Sequence, residues 1–154
     1  MAIQYLSHIG LCVDDLEASL RFYVRGLGFR EIHRLQVEGE HAERLLDLPG
    51  LALQVVYLER DGTRIELLHY TSPGAQGDAS AKPMNLRGFT HFSLRTDDLD
   101  ADVANLEALG GGLLGRTRIH NPDYEASAVF LTDPDGIRIE LVQTPGDPDR
   151  LPGA

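Results

Sequence analysis

His8 to Ala18 reads HIGLCVDDLEA, and His91 to Ala101 reads HFSLRTDDLDA. Six of these eleven positions are identical at an offset of 83. A second match follows in the same order: Asp61 to Leu67 reads DGTRIEL and Asp135 to Leu141 reads DGIRIEL, with six of seven positions shared. Self-similarity in two ordered blocks marks a duplicated unit, because each copy must specify the same local structure. The spacing between blocks is nine residues longer in the first copy, and Glu38 to Gly50 (EGEHAERLLDLPG) is the natural place for the excess.

The same coarse elements come out of each copy. Tyr5 to Val13 alternates as a strand does. Asp14 or Asp15 can cap a helix whose apolar face is Leu16, Leu20, Tyr23 and Leu27, with Gly26 and Gly28 ending it. Strands are expected over Phe29 to Val37, Ala52 to Leu58 and Thr63 to Tyr70, the last two joined by an Asp61-Gly62 turn. The second copy gives a strand over Gly88 to Thr96 and a helix over Asp98 to Leu109 with Leu99, Val103 and Leu106 facing inward. Strands follow near Leu113 to Ile119, Ala126 to Leu131 and Ile137 to Gln143, with an Asp133-Pro134-Asp135-Gly136 turn. The expected organisation is α+β: a βαβββ module over 4–70, a linker over 71–86, a second module over 87–144 and a flexible tail over 145–154.

Composition bounds the function classes. With 14 Lys+Arg against 24 Asp+Glu in 154 residues, the chain carries a formal charge of −10, which disfavours nucleic acid or an anionic membrane as partner. One cysteine cannot form an internal disulfide. No apolar run approaches the ~18 residues of a membrane span, and the start has no basic n-region or apolar h-region. A soluble, cytoplasmic protein is the expectation.

Strand parity then singles out four residues. Ile65 and Leu67 share one face, as do Ile139 and Leu141, and these aliphatic faces are expected to pack under the helices. The opposite faces carry Glu66 and Glu140, and the same parity on the first strand of each copy places His8 and His91 there. Mid-strand carboxylates on a covered face are costly unless they are paired or bind a metal. Two His and two Glu at equivalent positions make an N₂O₂ donor set suited to Zn, Ni, Co, Mn or Fe. The competing reading is a solvated face on which Glu66 and Glu140 pair with Arg64 and Arg138.

At this point the chain resembles the vicinal oxygen chelate superfamily, which includes glyoxalase I, methylmalonyl-CoA epimerase, extradiol dioxygenases, fosfomycin-modifying enzymes and bleomycin-binding proteins. The resemblance is carried by HIGLCVDDLEASLRFYVRGLGF, TRIELLHY, HFSLRTDDLDA and DPDGIRIELV. It implies paired βαβββ modules forming a curled mixed sheet around a metal cavity with the helices outside, and a homodimer. It implies His8, Glu66, His91 and Glu140 as ligands of a divalent metal, with Glu140, and secondarily Glu66, in the catalytic role. A Glu at position 66 is similar to glyoxalase I and to the epimerase. The implied reaction abstracts a proton α to a carbonyl of a small carbonyl or thioester substrate, through a metal-held enediolate. Methylmalonyl-CoA epimerase-like racemisation is the nearest alternative. A non-catalytic antibiotic-binding protein and an Fe(II) dioxygenase stand further off, since a pure binding pocket has no use for two carboxylates and Glu66 would close an open facial triad.

The remaining histidines and the cysteine draw simpler expectations. His69 has the wrong parity for the cavity, while His33, His41 and His120 have no repeat partner and read as surface or loop residues. Cys12 reads as a small buried filler.

Overall fold

The computed structural model describes residues 2–149. The chain separates into two compact units between Gly77 and Asp78.

The first unit contains β1 (Ile9–Cys12), α1 (Leu16–Leu20), β2 (Arg30–Glu38), α2 (Glu40–Leu46), β3 (Ala52–Arg60) and β4 (Thr63–Ser72). They form a four-stranded sheet in the order β1-β4-β3-β2, parallel between β1 and β4 and antiparallel elsewhere. Asp15 caps α1, its carboxylate accepting from the Ala18 amide at 2.9 Å. The helix runs on into a π-helical turn over Arg21–Gly26. The expected face of Leu16, Leu20, Tyr23 and Leu27 is buried, with Phe22 beside it. Asp61 and Gly62 both adopt positive φ, as the tight turn between β3 and β4 requires.

Two features depart from the sequence expectation. β1 is shorter than Tyr5 to Val13, because its ladder with β4 begins only at Ile9; Tyr5 and Leu6 are exposed. The extra residues of the first copy fold as α2, which delivers Ala42 into an apolar cluster with Leu51, Leu53 and Val55. Leu53 and Val55 lie on the same face of β3 as Tyr57, so this cluster continues the sheet face that bears Glu66.

The second unit contains β5 (Phe92–Arg95), α3 (Leu99–Ala108), β6 (Gly112–Leu113), β7 (Ile119–Asn121), β8 (Ala126–Thr132) and β9 (Arg138–Gln143). Its sheet runs β5-β9-β8-β6 with β7 also paired to β8. The strand expected over Leu113 to Ile119 is divided into β6 and β7 by a 3-10 turn at Gly115–Thr117. The Thr117 hydroxyl holds that turn, donating to the Leu114 carbonyl at 2.7 Å and accepting from the Phe130 amide at 2.9 Å. Asp98 caps α3 through the Ala101 amide at 3.0 Å, and Leu99, Val103 and Leu106 are buried. The buried Asp133 carboxylate accepts from the amides of Asp135 (2.9 Å) and Ile137 (2.8 Å), building the turn that feeds β9. Arg95 donates to the carbonyls of Thr144 and Asp147, at 2.6 Å each. Residues 150–154 of the expected tail lie outside the described residues.

Parity behaves as read. Ile65, Leu67, Ile139 and Leu141 are buried, each contributing about 1.5–3 kcal/mol by removing apolar surface from water. Pointing those four inward turns Glu66 and Glu140 to the other face of their sheets. No helix among the described residues is long and apolar enough to cross a membrane.

Candidate metal centre

In the first unit, Gly10 is the register partner of Glu66 across β1 and β4, and His8 stands two residues before Gly10 on the same face. His8 Nε2 lies 3.2 Å from Glu66 Oε2. In the second unit Ser93 is the register partner of Glu140, and His91 Nε2 lies 3.9 Å from Glu140 Oε2. Each unit thus supplies one His–Glu pair at the start of a parallel strand pair. Within either unit, no third His, Cys, Asp or Glu among the described residues completes a group able to hold a metal.

The imidazoles are oriented alike. Ser7 Oγ lies 3.0 Å from His8 Nδ1, and Thr90 Oγ1 lies 3.0 Å from His91 Nδ1. The hydroxyl beside Nδ1 holds each ring in orientation, so that in either tautomer Nε2 faces the carboxylate. Periodicity does not mark Ser7 and Thr90; the signal for them is that a hydroxyl residue precedes the histidine in both copies.

The two carboxylates differ in their surroundings. Tyr57 is the register partner of Glu66 on β3, and its ring meets His8 edge-on at 5.4 Å. Its hydroxyl bonds the Glu66 carboxylate; that bond, together with burial and the carboxylate's charge, pushes the phenol's pKa up to about 12. The phenol therefore remains a donor throughout the physiological range. Phe130 occupies the matching place opposite Glu140, edge-on to His91 at 5.1 Å, and has no hydroxyl to offer. Glu66 is also the less exposed side chain, 15% against 27%. One carboxylate is clamped and the other is held only loosely.

Neither carboxylate pairs with Arg64 or Arg138 among the described residues, so the alternative of simple strand-surface ion pairs is absent. Arg64 is exposed and stands across β3 from Glu59. Arg138 places its guanidinium carbon 5.7 Å from the centre of the Phe130 ring. His69 lies off the ligand face, near the Val13 carbonyl at 3.4 Å, as parity required. His33 is exposed, as the sequence reading has it; it sits on β2 opposite Tyr57 and stacks on that ring at 6.3 Å and 19°. A register irregularity between Glu31 and His33 breaks the alternation by which the sequence could have placed it. Cys12 is exposed rather than buried, because it follows His8 and Gly10 on the open face of β1.

Residues 5–141 match the model of the glyoxalase/bleomycin resistance protein/dioxygenase superfamily. The chain belongs to this superfamily. Two curated relatives of comparable length are similar to it. A probable lactoylglutathione lyase of Synechocystis sp. is 26% identical over 151 residues, covering 94% of this chain and 99% of the relative. An ethylmalonyl-CoA/methylmalonyl-CoA epimerase of Cereibacter sphaeroides is 26% identical over 140 residues, covering 90% and 96%. Among solved structures, a glyoxalase family protein from Bacillus cereus has the same superfamily fold, with a TM-score of 0.79 at 24% identity, covering 95% of this chain and 99% of that one.

Proposed function

We propose that this superfamily member is a divalent-metal-dependent lyase or isomerase of the glyoxalase type, removing a proton α to the carbonyl of a small carbonyl or thioester substrate. His8, Glu66, His91 and Glu140 would hold the metal. The observation that carries the reading is the recurrence of one His–Glu pair in both units, each imidazole turned by a preceding hydroxyl so that Nε2 faces its carboxylate. Imidazole nitrogen and carboxylate oxygen are the donors that Zn, Ni, Co, Mn and Fe(II) accept, so the donor chemistry fits. When bound, such an ion supplies a Lewis acid that polarises the substrate carbonyl.

The chain's own part is proton transfer. Glu140 serves as base because, among the described residues, only His91 stands against its carboxylate, at 3.9 Å. Glu66 stays in place under Tyr57 and His8, as a ligand rather than a proton carrier. Methylmalonyl-CoA-type epimerisation is a second reading, favoured by an identity to the epimerase equal to that to the lyase. Both reactions begin with the same proton abstraction and differ in where the proton returns.

The test is a substrate panel. Protein loaded with each candidate metal is offered hemithioacetals of several thiols, and methylmalonyl-CoA. Turnover of either class, lost on chelation and regained on adding back the ion, is the expected result. Full activity in protein shown by elemental analysis to be metal-free would overturn the reading.

Tyr57→Phe should weaken metal retention by about ten-fold or more, since it removes the donor that orients Glu66. Competition against a chelator of known affinity measures this. Retention equal to the parent would show that the phenol has no orienting role.

A further inference from the structure

We infer that Arg138 is a carboxylate anchor, so that the substrate of the proposed reaction carries a carboxylate group alongside its reacting carbonyl. This rests on the reading of His91 and Glu140 as part of the reaction centre. Arg138 lies two residues before Glu140 on the same face of β9, about 7 Å along the strand. Phe130 ties the two together: it is the register partner of Glu140, meets His91 edge-on, and lies beneath the Arg138 guanidinium.

The guanidinium is positioned but not neutralised. One of its nitrogens, Nη2, donates to the Lys82 carbonyl at 2.7 Å. Nε is buried without a hydrogen-bond partner, and no carboxylate pairs with this arginine among the described residues. A half-buried guanidinium with no carboxylate partner is poorly compensated, and Nη1, which makes no hydrogen bond among the described residues, is the group left to meet an anion. The planar fork of Arg matches a carboxylate, and the aromatic ring below restricts it to one orientation.

The duplicated unit supplies an internal comparison. Arg64 occupies the same place in the first copy, but it is exposed and stands opposite Glu59, and Tyr57 stacks with His33 instead of a guanidinium. Thr132 takes the place of Glu59 opposite Arg138.

The experiment uses the full chain, with and without zinc, and succinate as the probe. The side-chain Nε–Hε NMR signal of Arg138, assigned by its disappearance in Arg138→Lys, should shift saturably with succinate and stay put with succinamide. Succinate affinity should fall about ten-fold or more in Arg138→Met, with partial recovery in Arg138→Lys. Circular dichroism establishes that each variant is folded; should Arg138→Met fail to fold, the parent titration and Arg138→Lys decide. In turnover, the preference for an anionic over a neutral hemithioacetal should collapse by about ten-fold in the same variants. Equal responses to succinate and succinamide, or unchanged succinate affinity in both variants, would overturn the anchor. Absence of turnover on every substrate alongside intact succinate binding would instead overturn the proposed reaction and leave the anchor standing.

Discussion

Glu140→Gln is expected to reduce turnover by about a thousand-fold or more while leaving substrate binding within a few-fold of the parent. The substitution keeps the size and shape of the side chain but removes the oxygen that can accept a proton. Because Glu140 sits mid-strand on β9 between buried Ile139 and Leu141, the backbone has no reason to move. Glu66→Gln should behave differently. It breaks a cluster in which Tyr57 and His8 both bear on the carboxylate, so its main cost should fall on metal retention. Single-turnover kinetics with substrate binding measured separately, and metal content for both variants, distinguish the two carboxylates. Near-parental chemistry in Glu140→Gln would rule out Glu140 as the base.

Gly136→Ala is expected to destabilise the protein by about 3 kcal/mol, lowering the melting temperature by roughly 6–12 °C. Gly136 holds φ at +83°, and a Cβ there would stand 2.4 Å from the Ala79 carbonyl oxygen and 2.6 Å from its carbon. Those atoms are backbone and cannot rotate aside. Either the Asp133–Gly136 turn or the chain around Ala79 must move, and the turn is tied down by Asp133. Gly50→Ala is the control. Its φ is +71° but nothing lies within 4 Å, so only the backbone strain of about 1–2 kcal/mol should appear. Equal losses in the two variants, read by thermal melting, would show that the contact with Ala79 contributes nothing.

Much of this molecule is legible in eleven-residue and seven-residue repeats. The duplication, the α+β class, the cap positions and the inward faces of both helices follow from spacing alone, because a helix or strand presents side chains at a fixed period. The same parity put Glu66 and Glu140 opposite buried aliphatic residues, and the structure agrees. Where periodicity is interrupted, spacing says less about neighbours. The irregularity before His33 hid a residue that stacks on Tyr57. Thr117 bonded a 3-10 turn into what read as one strand. Cys12 is exposed on the face that also bears His8, and local spacing does not report how far a face is covered.

The sequence by itself determined which residues repeat, and therefore that two histidines and two glutamates hold equivalent places. Only the tertiary structure decided how those equivalents differ. Tyr57 and Phe130 stand opposite the two carboxylates across strand pairs whose register is long-range, and Arg138 meets Phe130 for the same reason. Local spacing cannot report such contacts, because hydrogen-bonded pairing between distant segments, rather than the period of any one segment, sets which side chains face each other. The repeat makes the two halves look alike; cross-strand neighbours make one carboxylate clamped and the other loosely held.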